Sequence, residues 1–178
     1  TGGSARTMNS LLLANTGVAP VTLTGNGSTL NIVSGAFLAT GNQSLSLGGF
    51  SGITVGAPNE YIFHVSNTSA GGLSIGSPFT TNGASFTKSG PGLLTLTATG
   101  STYTGVTTLN QGALQIDALD KLGNSGTGGL VFNGGTLRFG GVFDPSIRTM
   151  TFGVTSNATV TSTLGGTLDT NGFDIVLA

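Results

Sequence analysis

The chain has 178 residues and a formal net charge of −1, with 32 glycines and no cysteine. Only 6% of its residues are charged, against roughly 25% in ordinary soluble domains, so nothing electrostatic draws it to nucleic acid or an anionic membrane. The missing cysteines exclude disulfides, thiolate catalysis and cysteine-ligated zinc, and no apolar run approaches the ~18 residues of a membrane span.

Low charge alone would fit a disordered chain, but such chains are poor in apolar and β-branched residues. This one has a mean hydropathy of +0.30 and 29 threonines, whose hydroxyls keep a surface wet without formal charge. In chain order, short apolar-x-apolar elements recur behind Gly or small polar turns: Leu30/Ile32, Ile53/Val55, Leu73/Ile75, Leu94/Leu96, Leu114/Ile116, Leu137/Phe139 and, less fully, Leu168. Their first members lie 23, 20, 21, 20, 23 and 31 residues apart, a loose repeat near twenty-two. Val21–Thr24 and Thr159–Thr163 show the same two-residue alternation, the period of a strand with one buried face. Helix competes poorly, since each interior Gly costs about 1 kcal/mol relative to Ala. The segment Asp117–Leu122 reads as a loop or a single helical turn.

Short strands of this period build either an antiparallel sandwich or a solenoid. Sandwich strands need not resemble one another, whereas solenoid coils stack equivalent positions and so repeat in sequence. The repeat predicts an all-β fold: a right-handed, single-stranded parallel β-helix (β-solenoid) of about eight coils of roughly 22 residues. At about 4.8 Å per coil the rod would be on the order of 40 Å long. Residues 1–178 are expected to form a single solenoid segment, an excerpt of a longer repeat protein. The inward positions are predicted to be Leu30, Ile32, Ile53, Val55, Leu73, Ile75, Leu94, Leu96, Leu114, Ile116, Leu137 and Phe139.

The stretch from Lys88 to Ile116 carries Ser89-Gly90, Gly92, Leu94-x-Leu96, Tyr103-Thr104-Gly105, Thr107-Thr108, Asn110 and Gly112-x-Leu114-Gln115. It closely resembles the autotransporter-associated β-strand repeat of bacterial passenger regions and related surface proteins. Shorter echoes occur at Gly129–Leu137 and Gly165–Phe173. Pro91 and Val106 depart from the family pattern, both at turns. The resemblance implies a parallel β-helix displayed outside the cell, at the bacterial surface or secreted. It implies no catalytic residue.

His64 is the only histidine, and a Ser-His-Asp group would have to use it. No G-x-S-x-G nucleophile motif is present, and a strand alternating Tyr61, Phe63 and Val65 places His64 outward. Solenoid enzymes acting on polysaccharides gather carboxylates on adjacent coils. The acids here are Glu60, Asp117, Asp120, Asp144, Asp169 and Asp174. Asp117 and Asp120 share one loop with Lys121, which reads as a solvated turn rather than a calcium or catalytic pair. Thr-x-Thr pairs at Thr22/Thr24, Thr95/Thr97, Thr102/Thr104, Thr149/Thr151 and Thr159/Thr161 recur too irregularly for an ice-binding rank and follow from β propensity. Asn-x-Ser/Thr sequences at Asn26, Asn42, Asn67 and Asn157 are those expected by chance. The sequence therefore nominates no catalytic, cofactor-binding or metal residue.

The function expected is structural and non-catalytic: a rigid stalk, a surface-display or adhesin-like segment, or a building block of an extracellular fibre. A carbohydrate-active lyase or hydrolase is the alternative, and it needs Asp117, Asp120 and Asp144 to converge. Expected partners are adjacent coils of the same parent or identical copies stacked end to end, with host or surface glycans a further class. Nucleic acid and membrane insertion are not expected. Residues 7 to 59 carry no formal charge, so an end there lacks the charged protection that exposed strand edges need.

Overall fold

The computed structural model describes residues 3–124, 128–153 and 165–177. The alternation at Thr159–Thr163, the pair Thr159/Thr161 and Asn157 fall outside them. The described residues form a parallel β-solenoid without α-helix. In chain order its first three turns run β1 (Arg6–Met8), β2 (Leu11–Asn15), β3 (Val21–Thr24); β4 (Thr29–Ile32), β5 (Ala36–Gly41), β6 (Leu45–Gly48); and β7 (Gly52–Val55), β8 (Glu60–Val65), β9 (Leu73–Gly76). Later turns keep two strands each: β10 (Ser85–Ser89) and β11 (Leu93–Leu96); β12 (Thr107–Leu109) and β13 (Ala113–Ile116); β14 (Leu130–Phe132) and β15 (Thr136–Phe139); β16 (Met150–Phe152) and β17 (Thr167–Asp169).

Stacking these turns gives three sheets. Sheet A is short, β1-β4-β7, while sheet B (β2-β5-β8-β10-β12-β14-β16) and sheet C (β3-β6-β9-β11-β13-β15-β17) each hold seven strands. Every strand pair is parallel and joins elements one turn apart. The seven strands of sheets B and C mark seven turns among the described residues, fewer than the eight coils expected, and their six spacings run about 29 Å along the axis at the usual strand separation.

The shortfall has a physical cause. All twelve predicted inward residues are buried, but they do not form one column. Leu30 and Ile53 pair on sheet A, whereas Leu73, Leu94, Leu114, Leu137 and Leu168 are in register on sheet C. The step from Ile53 to Leu73 therefore crosses a corner within one turn instead of completing a turn. The true sheet C predecessors of Leu73 are Leu45 and Val21, which lie 28 and 52 residues before it. Early turns are thus longer than twenty-two residues.

Sheet B shows the change in turn size directly. Leu11, Phe37, Phe63, Lys88, Leu109, Phe132 and Phe152 occupy one register column, at spacings of 26, 26, 25, 21, 23 and 20 residues. Turns shorten where sheet A stops. Its place is taken by an isolated parallel bridge between Ile53 and Phe79, and the Phe79 ring fills the corner edge-on to Tyr61 at 4.8 Å. Phe63, Phe86 and Tyr103 complete this aromatic cluster, in the offset and edge-on geometries that ring quadrupoles favour.

The Tyr61 hydroxyl donates to Ile53 O at 2.8 Å and accepts from Thr81 N–H at 2.9 Å. It therefore gives Thr81 N–H an acceptor beside the last strand of sheet A, where Ile53 O also accepts from Thr80 N–H at 2.9 Å. Corners need glycine where one turn crosses close above another. Gly112 has φ +66, and a Cβ there would meet the carbonyl oxygens of Gly90 and Gly92 on the turn below. The Asp117–Leu122 segment contains a single 3-10 turn, Leu119–Leu122.

Candidate functional site

The residues that could carry chemistry come from several turns of the solenoid. His64 lies exposed on the outer face of sheet B, in register with Leu38 below and Ser89 above. It borders an open apolar groove of about 530 Å³ with Leu12, Leu38 and Ile62. Besides His64 that groove is lined by one hydroxyl, Ser10, and by no acid. Glu60 on the same sheet accepts a 2.5 Å hydrogen bond from the Thr87 hydroxyl of the next turn.

Four of the remaining acids serve local structure. Asp117 and Asp120 face one ammonium, Lys121 Nζ, at 3.3 and 2.8 Å. Burial disfavours the charged form of Lys121, but the hydrogen bonds to Asp120 and Asp117 outweigh it and hold the ammonium above its ordinary pKa. Asp144 accepts from Ser146 N–H at 2.8 Å, capping the 3-10 turn Pro145–Ile147. Asp169 stands in register with Arg138, 3.4 Å from its Nε, and also accepts from Asn171 N–H. Asp174 is exposed. Among the described residues no three His, Asp or Glu side chains gather as a metal site would require.

The threonine pairs do not form a rank. The outward column of sheet C reads Thr22, Ser46, Ser74, Thr95, Gln115, Arg138, Asp169, so hydroxyls give way to an amide and then to charges. Of the Asn-x-Ser/Thr positions described, Asn67 is buried, with its amide donating to Gln43 O at 2.7 Å.

The unusual chemistry lies inside. Lys88 occupies the inward column between Phe63 and Leu109 and is fully buried. Its ammonium donates to Ser89 O and Gly90 O at 2.8 Å and to Gln111 O at 3.0 Å, so all three protons reach carbonyls of two successive turns. Burial pushes its pKa down to about 8. Arg148 plays a similar part further along: nearly buried, it donates to Gly128 O, Asn124 O and Leu119 O, and burial lowers its pKa while the nearby Tyr103 works the other way. The sequence reading overlooked both cations. A signal for Lys88 was present, since the alternation Phe86-Thr87-Lys88 puts a lysine at an inward position.

The fold and this distribution of side chains define a structural β-solenoid: a continuous stacked core, cations used to bind turns together, and acids spent on local pairing. Residues 86–116 match the passenger-associated-transport-repeat family model, the stretch on which the resemblance to autotransporter repeats was read. Those residues fit an autotransporter passenger repeat, set within a parallel β-solenoid. No curated protein and no solved structure matches the chain.

Proposed function

We propose that this segment is a non-catalytic, rigid stalk that holds adjoining parts of an exported surface protein away from the cell. The observation that supports this most directly is the unbroken register of sheets B and C over seven strands each. Every turn rests on the one below through backbone hydrogen bonds and stacked apolar columns, so bending requires breaking several contacts at once. Outward charges are few, and Arg138 pairs with Asp169 while Asp117 and Asp120 share Lys121, which leaves little net charge to attract ions or nucleic acid.

End-to-end stacking of identical copies is disfavoured. The first turns have a three-sheet outline and the later ones a two-sheet outline, so a second copy placed on the end would continue sheets B and C but not A. A mismatched cross-section leaves core uncovered and strand groups unpaired. The carbohydrate-active reading needs converging acids, and Asp117, Asp120 and Asp144 are instead held by Lys121 and Ser146 N–H.

Sedimentation velocity of the isolated chain across a wide concentration range tests the stalk against the fibre. A species of constant, monomeric mass is expected; concentration-dependent growth without limit would replace the stalk with a filament subunit. Protease or antibody access on intact cells making the parent protein tests display. Shielding until the cells are lysed would remove the surface role.

A further inference from the structure

The turn between sheet A's corner and β10 contains Asn82-Gly83, both exposed, closed by an Ala84 N–H to Thr81 O bond of 3.2 Å. Above it, on the next turn, sits Thr104. The Gly83 N–H donates to Thr104 Oγ1 at 3.1 Å, and the Thr104 hydroxyl donates to Asn82 Oδ1 at 3.3 Å. One hydroxyl therefore addresses both the nitrogen and the amide carbonyl of an Asn-Gly pair. We infer that Asn82-Gly83 is a self-modification site, at which Thr104 promotes ring closure of Asn82 onto the Gly83 nitrogen.

The chemistry balances without an added reagent other than water. Gly83 N attacks Asn82 Cγ as its proton passes to Thr104 Oγ1, while the Thr104 hydroxyl proton moves to Oδ1. The same donor steadies the charge that grows on Oδ1 in the tetrahedral intermediate. Collapse of the intermediate returns that proton to the departing nitrogen, which leaves as ammonia, and a cyclic imide remains between the two residues. Solvent water then opens the imide at either carbonyl, giving Asp or isoaspartate. The net change is one amide hydrolysed, with no oxidation or reduction. Gly83 lacks the side chain that would hinder approach to its nitrogen, and an added Cβ there would meet open space, so solvent reaches the imide.

Three other described Asn-Gly pairs supply internal controls. Gly27 N–H donates to Gly49 O at 2.7 Å and Gly134 N–H to Gly165 O at 2.6 Å, and a carbonyl accepts a proton bond without offering a proton in return. Asn171 is tethered at both ends of its amide, accepting from Arg138 and donating to Phe139 O at 3.1 Å.

The test is peptide mapping of the folded chain during incubation near pH 8, scoring the amide-to-acid mass gain and the isoaspartyl product at each Asn-Gly. Asn82 is expected to convert about a hundredfold faster than Asn26, Asn133 or Asn171, the low end of what a placed donor and acceptor supplies. Thr104→Val should bring Asn82 down to the rate of the other sites, and Thr104→Ser should keep it fast. In urea the four sites should converge. The inference is overturned if Asn82 shows no lead in the folded wild-type chain, if its lead survives Thr104→Val, or if it survives unfolding.

Discussion

The first three turns and the last four solve the same problem with different materials. In the first three, a third strand per turn widens the cross-section, and aliphatic side chains such as Leu30, Ile32, Ile53 and Val55 fill it. From the fourth turn onward sheet A is gone, and the space it enclosed is taken by Phe79, Phe86 and Tyr103 and, along sheet B, by the Lys88 ammonium. The outer faces differ too. Sheet B exposes Leu12 and Leu38 early but presents Ser89, Asn110 and Asn133 in the same column later, with Asn133 donating to Asn110 at 3.1 Å. A solenoid holds its register while core chemistry changes, provided each turn buries what it places inward and pairs what it cannot bury.

The largest expected effect separates the two cores. Phe86→Ala, inside the aromatic cluster, should cost about 3 to 5 kcal/mol in denaturant unfolding. Leu30→Ala, in the three-sheet region and closer to the end, should cost less, about 2 to 3 kcal/mol. Equal costs would mean that the aromatic cluster is ordinary filling and not the anchor of the shorter turns.

Next comes the buried ammonium. Lys88→Met keeps the stem and removes the three donors, stranding Ser89 O, Gly90 O and Gln111 O. A loss of about 1 to 3 kcal/mol is expected at neutral pH.

The pH dependence sharpens this. The folded chain holds Lys88 near 8 and the unfolded chain returns it to 10.5, so between these values the unfolded state binds more protons and stability rises with pH. Below about pH 8 both states are protonated and the desolvation penalty, on the order of 3 kcal/mol, is constant, with the three carbonyls opposing it. Above about pH 10 the slope reverses, because burial raises Tyr61 and Tyr103 and the unfolded chain then loses protons that the folded one keeps. Thermal unfolding from pH 7 to 11 should show a maximum near pH 10. Lys88→Met should abolish the rising limb and leave the fall.

The smallest effect concerns the exposed residues once weighed for chemistry. His64→Ala should change stability by no more than about 0.5 kcal/mol and leave the circular dichroism unaltered. Asp117→Ala should do the same, because Asp120 still holds Lys121 at 2.8 Å. Destabilisation by His64→Ala comparable to Phe86→Ala would erase the distinction between outer face and core.

By itself the sequence determined which side of each strand faces inward. A two-residue alternation has only two phases, and the wrong one would put Leu94, Leu96, Leu114 and Ile116 in water. It also determined parallel stacking, through the repeat, and the passenger-type stretch, through Gly90, Gly92 and Gly112 at fixed spacings. The same alternation foretold a buried Lys88, yet chemical habit reads a lysine as surface. Only the tertiary structure decided which strands share a sheet, because alternation carries no information about how far the chain travels around the corner before it repeats. That is why Ile53 and Leu73 read as successive coils although they lie on two walls of one turn. The partners of the acids were likewise settled in three dimensions, since a coil's circumference, and not sequence distance, sets which side chains meet.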